Sequence, residues 1–381
     1  MKKDAIFDFV SSILVVVVGL VIGLIILLIS NREQAWPAFS MILTFGFSSM
    51  RNFGDVLHRA APIILTGLSV AFAFKTGLFN IGASGQFTMG AFIAIYIGVE
   101  LAHLPPLLRV LLAVVAASLF GALWAAIPGL LKAYRNVHEV ISSIMTNYIG
   151  MFFINFLVMS GLIIGGVRIF NPIFDQGQGT TTRIPLDSAL PSFGLENIFT
   201  DGDRTSNINI GIFIAILAAI LIYIILQKTT FGYELKACGF NKDAAKYAGI
   251  NEKRNIVLSM MISGAFAGLG GAVNYLNSTG LSMSVTDMLA PEGFTGISVA
   301  FLGLSHPIAI IFSGTLVAYL FLGGARTQAL GFSIELVHMV IAIIIYFCAF
   351  ISVVKFFLLN RSKKFLFNRI KKHELLKEEE S

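Results

Sequence analysis

The residues able to do chemistry are sparse and sit in an apolar background. Asn80, Gln86, Asn147, Asn155, Asn274 and Glu292 interrupt otherwise apolar runs, and Glu139 opens one. Amide side chains donate and accept hydrogen bonds but form no covalent intermediates. Such a set can hold a polar solute or bind a neighbouring helix. Polar groups at membrane depth favour a bundle interior and are functional candidates by default. Asn147 and Asn155 are eight residues apart and share a helix face. Glu139 and Glu292 fall at the ends of apolar runs, as gate or interfacial residues. Bond-making chemistry has no footing: His58, His103, His138, His306 and His338 stand singly, with no nucleophile and base pattern around them. Cys238 and Cys348 offer neither a disulfide framework nor metal spacing, and both are expected to be reduced. The chain has no Gly-Lys pair and so no Walker-type phosphate loop. If it moves a solute uphill, the energy enters through another chain or an ion gradient.

The most polar of these interruptions is TGLFNIGASGQ, residues 76–86. Glycine costs a helix interior about 1 kcal/mol relative to alanine. Gly77, Gly82 and Gly85 therefore weaken the helix, and the Asn80 side chain competes for backbone bonds. Two readings stand. The stretch is a broken element beside a transport path, with Asn80 and Gln86 as its lining. Alternatively the glycines allow close helix packing, with Asn80 and Gln86 bonded across helices. Phe79 and Phe294 are the aromatic candidates for stacking a ring in such a path, against the commoner lipid-facing role. Gly264, Gly268, Gly270 and Gly271 read as packing positions.

The elements that must position these groups are membrane helices. Of 381 residues, 56% are hydrophobic and only 13% charged, where soluble domains carry about 25%. Apolar runs near 10–30, 60–75, 84–102, 110–131, 140–161, 210–227, 255–276, 293–305, 307–323 and 333–354 predict ten spans. The first is too long for a signal peptide and lacks a cleavage site. The second is short, and the eighth ends near His306-Pro307 and is expected to be broken or re-entrant. With both termini inside, all fifteen lysines and four arginines lie on the cytoplasmic side, against eight arginines outside, as the positive-inside rule asks. Nine or eleven spans would break that pattern. The net charge of +6 then reflects orientation and anionic lipid, not nucleic acid. The expected architecture is all-α and polytopic: one permease-like domain over 1–360, an outer loop at 166–209, a cytoplasmic loop at 229–254, and a basic then acidic tail at 361–381. The outer loop is expected to bind something or pack as a cap.

Within the cytoplasmic loop, Asn241 is an N-cap residue and Asp243 suits a first helical turn. KDAAKYAG follows as a short helix stopped by Gly249. Ala244, Ala245 and Ala248 are expected on one small, smooth face, flanked by Lys242 and Lys246. Such a helix suits a partner's groove, or it rests on lipid.

LKACGFNKDAAKYAGI resembles the coupling-loop motif of ABC importer permeases of the branched-chain amino acid, simple sugar and nucleoside group. TGLFNIGASGQFTMGAF resembles that group's other hallmark. NVHEVISSIMTNYIG and PEGFTGISVAFLG resemble its nucleoside branch. Ser84 departs from the pattern, since the family often carries an acidic residue there. The resemblance implies a type II ABC importer-like fold with broken elements in a bacterial cell membrane. It implies an ATPase that docks on Gly239, Asn241, Asp243, Ala244, Ala245, Tyr247, Ala248 and Gly249, a second permease chain, and an external solute-binding lipoprotein or receptor. ATP and magnesium would sit on the ATPase, and this chain would bind no cofactor. Phe79, Asn80, Gln86, Asn147, Asn274 and Phe294 become the path candidates. A sugar or branched-chain amino acid permease of the same fold is the alternative. A secondary transporter would need internal repeats and buried ion-coupling carboxylates, which the sequence does not display.

Overall fold

The computed structural model describes residues 2–177, 179–277, 282–348 and 350. The tail at 361–381 and the end of the tenth expected span lie outside them. The chain divides into two compact units, residues 43–323 and the described residues on either side of that stretch.

In the smaller unit, α1 (Lys2–Ser30) packs along α14 (Ile334–Cys348). Gly23 allows the approach, because a Cβ there would lie 2.7 Å from the Val340 side chain. The α2 helix (Ala35–Thr44) leads into the larger unit and was not legible as a separate element.

In the larger unit, α3 (Met50–Lys75) begins ten residues before the expected second span. Ser49 caps it by accepting the Asn52 amide at 3.2 Å. Its first turns carry Arg51, Asp55, His58 and Arg59, the charges that shortened the apolar run. Then come α4 (Ala83–Glu100), α5 (Pro106–Arg135) and α6 (Glu139–Ser160). The next long helices are α8 (Gly211–Lys228) and α11 (Glu252–Tyr275), followed by α12 (Pro291–Leu302) and α13 (Pro307–Arg326). The α7 helix is a four-residue piece, Leu195–Ile198. In the loop at 229–254 there are two helices, α9 (Thr230–Phe240) and α10 (Lys242–Tyr247).

Among the described residues seven helices are long and apolar enough to cross a membrane: α1, α3, α5, α6, α8, α11 and α13. The other three expected spans differ for physical reasons. In α4 the apolar content is diluted by Ser84 and Gln86, and the helix is buried on most sides. At 12 residues, α12 rises about 18 Å, well short of the ~30 Å hydrocarbon core. The described part of α14 is 15 residues long.

The centre of the larger unit is α11, set against α4 and α5 through glycines. A Cβ at Gly264 would lie 2.4 Å from the Gly121 carbonyl oxygen, and one at Gly268 would lie 2.3 Å from that of Ala117. At Gly271 it would meet the Phe87 carbonyl at 2.2 Å. These are close backbone approaches that only glycine permits.

The loop at 166–209 is short structure, not a structureless run. Strands β1 (Leu162–Ile164) and β2 (Val167–Phe170), β3 (Phe174–Asp175) and β4 (Thr180–Thr181), and β5 (Thr200–Asp201) and β6 (Arg204–Thr205) form three antiparallel pairs. It is pinned to the helices. Buried Arg109 meets Asp187 at 2.7 Å, Ser188 Oγ donates to the Gly98 carbonyl at 2.9 Å, and Asn171 donates to the Glu100 carboxylate at 2.6 Å.

Candidate functional site

The polar stretch at 76–86 is a break in the helical ladder. Helix α3 stops at Lys75, α4 starts at Ala83, and the residues between them are turn and coil. Gly77 sits at φ +73°, a region an L side chain enters only at a cost of about 1–2 kcal/mol. The amides of Thr76, Gly77 and Leu78 donate back to the carbonyls of Ala73 and Phe74, closing the end of α3.

The polar groups of the break are bonded to each other and to their neighbours. Asn80 Nδ2 donates to Gln86 Oε1 at 2.8 Å and to Ser263 Oγ at 2.7 Å. Gln86 Nε2 returns a bond to Asn80 Oδ1 at 3.1 Å. Asn147 Oδ1 accepts the Gly85 amide at 2.9 Å, and its Nδ2 donates to the Ile81 carbonyl at 3.0 Å. In this way Asn147 secures both ends of the turn into α4. Asn80, Gln86 and Asn147 are all buried. Their arrangement is the cross-helix bonding that the sequence left open, not an open lining. Phe79 and Phe74 pack on Phe301, with ring centroids 6.1 and 5.5 Å apart. Phe294 is exposed, and the Asn274 side chain is half-buried. Glu139 pairs with Lys132 at 2.8 Å.

One polar stripe on α11 was missed from sequence. Asn255, Ser259 and Ser263 recur every four residues and share a face. Ser259 Oγ lies 2.7 Å from Thr76 Oγ1. Ser263 Oγ donates to the Ser69 carbonyl at 2.7 Å while accepting from Asn80. Asn255 Nδ2 donates to the Glu234 carboxylate at 3.1 Å, and its contact with Cys238 Sγ is 3.8 Å. The same face of α11 thus holds α3, the break and α9. The signal was present as small hydroxyls at helical spacing, but serine in an apolar helix is more often read as packing.

The α9–α10 loop reaches the break directly. Gly239, one residue from the end of α9, lies against the 75–77 backbone: a Cβ there would come within 2.5 Å of the Lys75 carbonyl oxygen. Thr229 caps α9 by accepting the Gly232 amide at 3.1 Å. Asn241 then ends α9 and caps α10, its Oδ1 accepting the Ala244 amide at 3.0 Å. After α10, Gly249 takes φ +82°, and the Ile250 amide donates to the Ala245 carbonyl at 3.0 Å, a glycine C-terminal stop. Asp243 is exposed in the first turn. Ala244, Ala245 and Ala248 line one groove of about 480 Å³ together with Tyr233, Ala237 and Phe240 of α9; within it Ala245 is buried, while Ala244 and Ala248 are exposed. The outward side carries Phe240 and Tyr247, 92% and 94% exposed. Burial pushes the Cys238 thiol above its ordinary pKa, keeping it protonated and unreactive. Among the described residues no cluster of side chains could hold a metal.

A family model for the permease component of the branched-chain amino acid transport system matches residues 52–349. The guanosine ABC transporter permease protein NupP of Bacillus subtilis is 37% identical over 92% of this chain and 96% of its own length. The nucleoside ABC transporter permease protein NupB of Lactococcus lactis is 38% identical over 88% of this chain and 89% of its own. The glucose ABC transporter permease protein TsgB13 of Haloferax volcanii is 31% identical over 88% and 86%. No solved structure matches.

Proposed function

The chain belongs to the family of branched-chain amino acid transport system permease components, and from that premise we propose that it is the nucleoside-carrying membrane subunit of an ATP-driven importer. Ten spans with both termini in the cytoplasm form its share of the path, with the eighth interrupted. A second permease chain completes the path, and an external solute-binding lipoprotein delivers the nucleoside. The subunit does no chemistry of its own. A separate ATPase docks on the α9–α10 loop, with Gly239, Asn241, Asp243, Ala244, Tyr247, Ala248 and Gly249 at or near the contact and Ala245 fixing the fold of the loop.

The observation that supports this reading best is the continuity from loop to break. Gly239 abuts the backbone at 75–77, and the Asn255, Ser259 and Ser263 stripe holds both parts on one helix. A push on α10 therefore reaches the break through backbone contact and short hydrogen bonds. Asn80, Gln86 and Asn147 act in this scheme as the exchangeable bonds of alternating access, and Glu139 as a gate residue at the inner end of α6. The similarity to guanosine and nucleoside permeases favours nucleosides over sugars. The likeness to a glucose permease keeps sugar import as the second reading.

The test is uptake of labelled guanosine by cells that lack their own nucleoside import and carry this chain with its ATPase and receptor. ATP-dependent accumulation that glucose does not compete is the expected result. Accumulation that survives loss of the ATPase but collapses with the proton gradient would overturn the reading. A cysteine at Tyr247 should react with a membrane-impermeant thiol reagent only from the cytoplasmic side.

A further inference from the structure

The interrupted eighth span leaves a feature that neither the loop nor the break uses. Between Tyr275 and Pro291 the described chain is not helical. It first pairs with the outer loop, where Met283 accepts the Thr181 amide at 2.8 Å and Ser284 bridges Thr180. It ends beside the first turn of α4, where Ser84 Oγ donates to the Ala290 carbonyl at 2.7 Å. Helix α12 starts there, with Gly293 so close to Ser84 that a Cβ would meet its backbone at 2.4 Å. Non-helical backbone at membrane depth is tolerated where protein buries it or where it lines a cavity.

It lines a cavity here. A space of about 330 Å³ opens between this segment, α4, α6 and the end of α11, at the small end of the roughly 300–1,000 Å³ typical of ligand pockets. Its wall combines the Tyr275 ring with the hydroxyls of Thr88 and Ser284, the Asn155 amide and the Glu292 carboxylate. Asn155 helps to shape it by donating to the Thr286 carbonyl at 2.9 Å. Glu292 lies in the first turn of α12, where the helix amino end favours a negative charge. No lysine, arginine or histidine is among the lining residues. Among its described lining residues the cavity therefore carries one fixed charge, which is negative, beside the Tyr275 ring.

We propose that this cavity is the station of an uncharged ribonucleoside within the path: the base lies against Tyr275, and Glu292 accepts hydrogen bonds from the ribose hydroxyls. The proposal rests on the nucleoside reading above and sharpens it. A carboxylate with no compensating cation repels a phosphate, so nucleotides are refused. A vicinal diol presents two donors to one carboxylate, so removal of the ribose hydroxyls should weaken the fit. Two path candidates of the sequence, Asn80 and Gln86, are bonded to each other, whereas Glu292, there a gate residue, faces this space.

The test uses the assembled transporter in cells without other nucleoside uptake. Guanosine uptake is measured with 2′,3′-dideoxyguanosine and guanosine monophosphate as competitors. Glu292→Gln should raise the KM for guanosine about tenfold, as loss of a charged hydrogen-bond acceptor does. It should also shrink the preference for guanosine over the dideoxy compound and let the monophosphate compete. Tyr275→Phe, which keeps the ring, should leave that preference intact. Unchanged KM and unchanged preference in Glu292→Gln would overturn the proposal while leaving the nucleoside reading standing. An unsubstituted transporter that takes up no guanosine would overturn both. If Glu292→Gln does not reach the membrane, Tyr275→Leu decides by the same KM: a rise supports the station and an unchanged value overturns it.

Discussion

Helix α11 has two faces that do opposite work. One carries Gly264, Gly268 and Gly271, pressed against the backbone of α4 and α5. The other carries Asn255, Ser259 and Ser263, hydrogen-bonded to α9, the break and α3. At 100° per residue the two stripes lie on nearly opposite sides of the helix. The glycine face is held by shape. A backbone approach of this kind has one geometry, and side chains cannot rearrange to restore it. The polar face is held by small donors and acceptors that can exchange partners at modest cost, since a typical hydrogen bond contributes only about 1 kcal/mol net. Helix α11 is fixed on one side to a rigid body and joined on the other, by replaceable bonds, to the parts that must move.

The largest effect should come from filling the glycine face. Gly268→Leu drives a side chain into the Ala117 carbonyl, 2.3 Å from the new Cβ. Overpacking of this kind costs about 1–3 kcal/mol and occasionally more. Little monodisperse protein should survive size-exclusion chromatography in detergent. Recovery at the normal level would mean that α11 can slide on α5 and that the two faces are not distinct.

Next comes the polar face. Ser263→Ala removes the group that joins Asn80 to Ser69 and should cost about 1–3 kcal/mol, the range for leaving a buried donor without its partner. The protein should still assemble, with a lower thermal midpoint and slower uptake. Ser259→Ala loses the bond to Thr76 alone and should cost about 1 kcal/mol. An equal loss in the two variants would argue against Ser263 as the hub.

Gly77→Ala tests the backbone of the break. At φ +73° the methyl group should cost about 1–2 kcal/mol and slow transport more than it lowers the thermal midpoint. The smallest effect on stability belongs to Tyr247→Ala. At 94% exposure this side chain makes little contact within the chain, so the midpoint should move by less than about 0.5 kcal/mol. Under the proposed docking of an ATPase on this loop, transport should nonetheless fall. By the same logic Ala245→Glu is a poor probe of docking. Ala245 is buried, and a charge there damages the loop before any partner arrives.

The sequence was legible where chemistry is local. Length and apolarity located the seven described helices long and apolar enough to cross a membrane, and Asn241 and Gly249 marked α10 through capping rules that act over a few residues. Helix α9 escaped because its opening, TTFGYELKACGF, has no strong apolar period, and tertiary contact with α11 supplies what propensity lacks. The start of α3 was misplaced because hydropathy stops at Arg59, whereas a helix whose outer end lies at the interface does not. Among the site residues, the amides were found because they stand out in an apolar run. Ser263, which bonds Asn80, and Ser259, which bonds Thr76, were not, because a serine is conspicuous only when its partner is known. Whether Asn80 faced a path or a neighbour was a question of long-range pairing, which spacing in the chain does not encode.

The central claim is that force enters at the α9–α10 loop and leaves at the break through Gly239. The direct measurement is the number of nucleoside molecules taken up per ATP hydrolysed by the assembled transporter carrying Gly239→Val. Because a Cβ there would meet the Lys75 carbonyl at 2.5 Å, hydrolysis should persist while the ratio falls about tenfold, the effect of roughly 1.4 kcal/mol. An unchanged ratio, with both rates intact, would show that the loop drives transport by some other route.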